Sequence, residues 1–401
     1  MGDRAGAGHV ACDSADGDVA PSEQEGVKLA HGGRPPARRA SSASRTAKRI
    51  GIAGILAVGA LLMTGCSGDE IVRFGWPVGI TPEAEVMRKL WTWSVIAALI
   101  MGILVWALIF WTITFHRHKE GKDEFPRQTA YNVPLELTYT AIPFVIIAVL
   151  FYFTVIVQNQ VEKKTDDPKV VVDVTAFQWN WKFGYRDVTF ADGSEKSFFQ
   201  HDGSPFDLQL QETNDHGEEL PGPANGRDDD IRNYLKFNSI ETLGTSTEIP
   251  ILVLPTERRI QFDLAAADVV HSFWVPEFLF KRDVLPFPEQ NHTDNVFQVE
   301  KIDTEGAFVG RCAEMCGTYH SMMNFEVRAV SGDDFDAYIK YREANPTATN
   351  AEALQAICQE PESVVTVPFD TRRKSDGSAT ATGDPNNTRI ANCTIKSGAA
   401  S

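Results

Sequence analysis

The segment Arg311-Cys312-Ala313-Glu314-Met315-Cys316-Gly317-Thr318-Tyr319-His320-Ser321-Met322-Met323 puts two thiols, an imidazole and a thioether at intervals of four, four and three residues. A second imidazole, His271, lies 41 residues before Cys312, in Asp268-Val269-Val270-His271-Ser272-Phe273-Trp274. Soft thiolate and thioether sulfurs together with imidazole nitrogens select copper over harder cations. A mononuclear blue-copper loop needs one cysteine, one histidine and one methionine here, plus a distant histidine. This loop carries one cysteine more. Two thiolates can bridge two coppers, with one histidine on each. An electron shared over two ions spreads the change in geometry, so its transfer needs little reorganisation. Two plainer readings stand beside this one. In an oxidising compartment Cys312 and Cys316 could pair as a disulfide, and two cysteines with two histidines could bind zinc. Neither explains Met323 at its spacing or the placement of His271.

The elements that must position these side chains read as short strands. Val170 to Phe177, Phe206 to Leu210, Arg259 to Leu264, Asn295 to Lys301, Ala307 to Cys312 and Phe325 to Val330 are rich in Val, Phe and Ile, with turn residues between them. Short strands without long helices between them indicate a sandwich or barrel. The polar stretch 186–248, with its Asp228-Asp229-Asp230 run, reads as an insertion between strands, and Gly332 to Glu343 as one closing helix.

Upstream of this domain are three uncharged apolar runs. Ile50 to Met63 has 14 residues and follows Arg45, Lys48 and Arg49. It is too short to cross about 30 Å of hydrocarbon and suits the core of a secretory signal. Met63-Thr64-Gly65-Cys66 then looks like a lipobox, which would make Cys66 an acylated N-terminus. Residues 1–44 have no periodic apolar pattern and are expected to be disordered or to precede the true start. Leu90 to Phe115 has 26 residues, with Trp91, Trp93 and Trp111 near its ends, and Leu137 to Val157 has 21. Both can span a bilayer, and aromatic rings at the ends suit its interfaces. Arg117, Lys119, Lys122 and Arg127 between them place that loop in the cytoplasm and the large domain outside. Glu136, at the start of the second run, suits the positive end of a helix dipole or a proton entrance at the membrane.

The chain carries a net charge of −16. Residues 1–65 hold 8 basic and 6 acidic side chains, which leaves 30 against 48 for the remainder. So acidic a portion repels nucleic-acid phosphates and favours a basic partner.

With these residues in view, the chain resembles subunit 2 of the haem-copper cytochrome c oxidases, in the lipoprotein form found in high-GC Gram-positive bacteria. The likeness covers roughly Glu136 to Lys340, and the Cys312 to Met323 loop is its most diagnostic part. The resemblance implies a two-helix transmembrane hairpin with an all-β, cupredoxin-like Greek-key barrel on the outer face of the plasma membrane. It implies a binuclear copper centre, copper A, bridged by Cys312 and Cys316. His271 and Met323 would serve one copper, and His320 with the Glu314 carbonyl the other. The Glu314 side chain would reach a magnesium ion shared with subunit 1, and haem would reside only in that partner.

Gln178-Trp179-Asn180-Trp181 resembles the family's aromatic patch, with Trp179 between donor haem and copper. Glu136 with Thr140 and Pro143 resembles its second-helix signature, where the glutamate marks a proton path into subunit 1. Tyr139 replaces the usual tryptophan. Lys281-Arg282-Asp283 with Pro286 resembles a segment at the subunit 1 boundary, with Phe287 where glycine is common. The implied partners are subunit 1, the other oxidase subunits, and cytochrome c or a cytochrome c domain of a bc complex. Asp268 is a candidate for docking that donor and equally for a structural hydrogen bond.

The expected organisation is an extension over 1–44, a signal peptide over 45–65 and an outer segment over 66–89. The spans follow at 90–115 and 136–157, around a cytoplasmic loop at 116–135. The copper domain occupies 168–345, with its insertion at 186–248, and a tail occupies 346–401. Cys358 and Cys393 enclose 34 residues of that tail, outside the membrane, and are expected to form a disulfide.

Three other functions fit the same residues less well. A stand-alone lipid-anchored copper carrier would not need two full spans. A quinol-oxidase form of the subunit would lack the intact ligand set. A nitrous oxide reductase would need a large further catalytic domain that 401 residues do not contain.

Overall fold

The computed structural model describes residues 73–117, 128–202, 234–372, 381 and 383–395. The signal peptide, Cys66, the loop cations Lys119, Lys122 and Arg127, the strand expected at 206–210 and the Asp228 to Asp230 run lie outside the described residues.

Two helices, α1 (Pro82–Phe115) and α2 (Val133–Val161), are long and apolar enough to cross a membrane. Both start upstream of the uncharged runs, because capping and charge pairs extend a helix past its apolar stretch. The Thr81 hydroxyl accepts the Ala84 N–H, Pro82 stands in the first turn, and Glu85 pairs with Arg88 and Lys89. At the start of α2, Asn132 Oδ1 accepts the Leu135 N–H, and Glu136 Oε1 accepts the Asn132 N–H at 2.8 Å. Glu136 therefore closes a helix cap in this chain. The root of α1 is tied to the outer domain. Ile80 N–H donates to the Glu277 carbonyl, Asp303 N–H to the Ile80 carbonyl, and Glu300 N–H to Glu83 Oε1.

The domain is two facing β-sheets. The first contains β1 (Val170–Phe177), β2 (Asn180–Thr189), β3 (Glu195–Ser197), β6 (Glu241–Leu243), β8 (Ile260–Ala266) and β11 (Val296–Val299), in the order β11-β8-β1-β2-β3 with β6 also on β2. The second runs β10 (Phe280–Val284), β9 (His271–Val275), β12 (Gly306–Cys312), β13 (Asn324–Val330), β7 (Ile251–Pro255). Pairs β1–β8 and β13–β7 are parallel and the rest antiparallel. A small hairpin joins β4 (Phe199–Asp202) to β5 (Lys236–Asn238).

The core between the sheets is aromatic. Phe325 packs 5.2 Å from both Trp181 and Phe183 and 4.8 Å from Phe273, which meets Phe262 at 5.5 Å. Such offset and edge-on pairs fix ring positions more narrowly than aliphatic contacts do.

The stretch 186–248 is less of an insertion than its composition suggests. Residues 186–189 complete β2, and β3 and β6 extend the same sheet. Helix α3 (Gly332–Ala344) closes the domain, capped by the Ser331 hydroxyl. The tail then folds back through α4 (Asn350–Ala356), and Cys358 and Cys393 are disulfide-bonded.

Candidate metal centre

His271 opens β9, and Cys312 closes β12. The two strands pair antiparallel with Cys312 opposite Phe273, so the imidazole and the thiol emerge at one end of the second sheet. The loop from Cys312 to Met323 returns to its start, where Cys312 N–H donates to the Met323 carbonyl. Ala313 N–H donates to the Ser272 carbonyl, which anchors the loop to β9. A 3-10 turn (His320–Met322) delivers His320 and then Met323.

The sulfurs of Cys312 and Cys316 lie 3.8 Å apart, and both residues are buried free thiols. His271 Nδ1 is 3.8 Å from Cys312 Sγ, and His320 Nδ1 is 3.5 Å from Cys316 Sγ. Met323 Sδ is 3.8 Å from Cys316 Sγ, and the Glu314 carbonyl oxygen is 3.2 Å from Cys312 Sγ. The donor atoms of His271, Cys312 and Cys316 all fall within 4.8 Å of one another. The cluster therefore contains two thiols, each with its own imidazole, one thioether and one carbonyl. These are donors that suit copper, and a disulfide between Cys312 and Cys316 is not formed.

The electrostatics of the sulfur pair follow from its closeness. The hydrogen bond with Cys316 holds the Cys312 thiol far below the usual thiol range, and His271 adds to the effect. Cys316 is pushed up by the hydrogen bond it shares with Cys312, then by burial, and then because ionising it would set a second negative sulfur beside the first. The pair thus gives up one proton readily, and a cation between the sulfurs would release the other.

His271 is fully buried and held from behind by Asp268. Its Nε2–H donates to Asp268 Oδ1 at 2.9 Å, which leaves Nδ1 for the sulfur side. Asp268 also accepts the Gln178 N–H at 2.7 Å and the Val269 N–H at 2.6 Å. Burial opposes its charge, but these three donors hold its carboxyl below the usual range. Burial also works against the His271 cation, and the bonds to Asp268 and Cys312 outweigh it, so its pKa is raised. The geometry gives Asp268 a hydrogen-bonding role, one of its two sequence readings.

Trp179 sits over the loop. Its indole N–H donates to the Cys316 carbonyl at 3.0 Å, and the Gln178 amide donates to the same oxygen at 2.8 Å. The backbone must bend sharply here. Gly317 has φ +117°, and a Cβ there would stand 3.1 Å from both donor nitrogens, so only glycine fits. Trp181, the second tryptophan of the motif, is core; its N–H reaches the Met323 carbonyl at 3.4 Å.

The Glu314 carboxylate lies 4.0 Å from Lys281 Nζ. Glu136 is on α2 and takes no part in this cluster. Sequence reasoning did not single out Gly317 or Tyr319, whose ring meets Trp179 edge-on at 4.9 Å. Position within the ligand loop was the one available signal.

Comparison with known proteins accords with this geometry. Residues 233–330 match the family described as "Cytochrome C oxidase subunit II, periplasmic domain". The "Probable cytochrome c oxidase subunit 2" of Nocardia farcinica is 59% identical over 370 residues, covering 88% of this chain and 96% of that one. The "Cytochrome c oxidase subunit 2" of Mycobacterium tuberculosis is 54% identical over 344 residues, covering 84% and 93%. That of Corynebacterium diphtheriae is 48% identical, covering 82% and 94%. Among solved structures, the periplasmic domain of subunit II of the Bradyrhizobium japonicum cytochrome oxidase is 20% identical. It covers 44% of this chain and 95% of that chain, with a TM-score of 0.25. Identity near or above half, over four-fifths or more of the length, leaves one assignment: the chain belongs to the cytochrome c oxidase subunit 2 family.

Proposed function

We propose that this chain is the electron-input subunit of a proton-pumping terminal oxidase. It takes single electrons from cytochrome c, or a cytochrome c domain of a bc complex, and passes them to haem in subunit 1. Oxygen is reduced there and not on this chain. The observation that carries the proposal is the paired arrangement of Cys312 and Cys316, 3.8 Å apart with one imidazole facing each sulfur.

The residues that would hold a copper pair are Cys312, Cys316, His271, Met323, His320 and the Glu314 carbonyl. Bound there, the pair supplies reversible one-electron chemistry. The chain's own side chains do the remaining work. Asp268 fixes which nitrogen His271 presents. The buried Trp181 ring packs 6.3 Å from His271 and edge-on against Phe273, an apolar surround that strengthens local electrostatics. Trp179 offers an aromatic surface hydrogen-bonded to the Cys316 carbonyl, on the side where a donor would dock.

The proposal extends to the parts outside the copper loop. The Glu314 carboxylate is assigned to a magnesium ion shared with subunit 1, with Lys281 beside it. Glu136 is assigned to the mouth of a proton path on the cytoplasmic side. The barrel faces outward from the plasma membrane, and Cys66 carries the lipid anchor.

Replacing Cys316 in the assembled oxidase tests the function. Cys316→Ser should abolish the mixed-valence copper EPR signal and cytochrome c oxidation together, while haem content stays unchanged. Full cytochrome c turnover in that variant would refute the proposal.

A further inference from the structure

We propose that the tail beyond Asn345 is part of the surface where electrons arrive, with Phe369 as a positioning residue that acts through Tyr319 on Trp179. The inference rests on the electron-input reading above.

The tail is built into the domain. On β13, Asn324, Glu326 and Arg328 alternate and so share one face. All three are buried, and all three bind the tail. Asn324 Nδ2 lies 3.2 Å from Thr366 Oγ1. Glu326 Oε2 accepts the Ser363 hydroxyl and the Val364 N–H, both at 2.8 Å. Arg328 pairs with Glu326 and donates to the Glu360 carbonyl at 2.9 Å and the Glu362 carbonyl at 3.2 Å. A buried carboxylate and guanidinium are costly unless their remaining hydrogen-bonding positions are filled, and here the tail backbone fills them.

Farther on, Asp370 N–H donates to the Ser246 carbonyl at 2.8 Å, which holds the chain across the end of the first sheet. Phe369 lies between these two anchors. Its ring meets Tyr319 edge-on, with centroids 4.8 Å apart at 86°. Tyr319 in turn meets Trp179 edge-on, 4.9 Å apart at 88°. Tyr319 immediately precedes His320, so the Phe369 contact bears on the ligand loop and on the indole together. The three rings line a surface cavity of about 260 Å³ beside Trp179. Removing the Phe369 ring would enlarge that cavity and take away one of the two ring contacts that fix the Tyr319 ring against Trp179.

The test uses the assembled oxidase with Phe369→Ala, Phe369→Leu and Phe369→Tyr. Hydrogen–deuterium exchange reads the peptides spanning 177–181 and 316–323. Turnover is measured with a soluble reduced cytochrome c and with tetramethyl-p-phenylenediamine, and copper is followed by EPR. Phe369→Ala should keep its copper and exchange faster in 316–323. Its kcat/KM for cytochrome c should fall about threefold to tenfold, the range of one aromatic pair. Turnover of the small dye should fall less, and Phe369→Tyr should behave as wild type.

Unchanged exchange and unchanged kcat/KM in Phe369→Ala would overturn the inference. So would loss of copper in both Phe369→Ala and Phe369→Leu, because the tail would then only scaffold the metal loop. If Phe369→Ala fails to assemble, the same readouts on Phe369→Leu decide. A wild-type oxidase without the copper signal would instead strike at the electron-input reading, and the exchange comparison would still decide the contact.

Discussion

His271 donates through Nε2 to Asp268 at 2.9 Å and turns Nδ1 toward Cys312, 3.8 Å away. Asp268 itself is held by the Gln178 and Val269 amides, so the orientation of the His271 imidazole depends on a strand end in the opposite sheet. Asp268→Asn keeps the shape and loses the charge that favours this tautomer. Copper affinity should fall about 10- to 100-fold, as for other supports of a metal-bound histidine. Competition with a calibrated copper chelator measures it, and an unchanged affinity would assign Asp268 elsewhere.

Met323 is buried, with its sulfur 3.8 Å from Cys316 Sγ. Leucine nearly conserves the volume, so the fold should lose less than about 1.5 kcal/mol. Met323→Leu should therefore retain copper but shift its potential and slow electron input, because the weak sulfur ligand tunes the site. A redox titration followed by EPR reads the shift.

Glu277 supplies a pH test away from the metal. Burial raises its pKa above the ordinary carboxyl value, partly offset by its own backbone N–H and by Arg311. One of its carboxylate oxygens is buried with no hydrogen-bond partner among the described residues. A raised folded pKa means the stabilising contribution is full below the unfolded value, about 4.3, and is lost as pH rises through the folded value. Glu277→Gln stays neutral throughout. It should melt higher than wild type at pH 7, with the difference closing as pH falls toward 4. A constant difference across that range would contradict the sign.

The tail disulfide should contribute to stability through the length of chain it closes. Cys358 and Cys393 are 35 positions apart, which corresponds to about 3 to 4 kcal/mol by loop-closure entropy. Denaturant melts of Cys358→Ser with Cys393→Ser against wild type measure this. In the unreduced wild type neither thiol should alkylate.

Much of this was readable from the chain, for definite reasons. The run of β-branched residues from Val170 marks β1 with its observed limits, and the four-four-three spacing marks the loop whose sulfur and nitrogen atoms converge. Other elements are hidden by local composition. Strand β2 alternates the fully buried Trp181, Phe183 and Tyr185 with Lys182, Gly184 and Arg186, but a bulge near Arg186 puts exposed Asp187 where the next apolar side chain would fall, so the period is lost before Val188. Strand β7 is buried along its whole length and so shows no period of two. Glu326 and Arg328 look like a solvent-facing pair in sequence, and only the folded tail shows why they are inside. The roles of Gly317, Gln178 and Asp268 depend on approach between distant segments, to which spacing along the chain is blind.

The most direct measurement of the central claim is copper content together with EPR on the purified, copper-reconstituted full-length chain. Two coppers per chain with a mixed-valence signal delocalised over both is the result that the Cys312–Cys316 pair demands. One copper per chain with an ordinary mononuclear signal, or a colourless protein that takes up none, would contradict it.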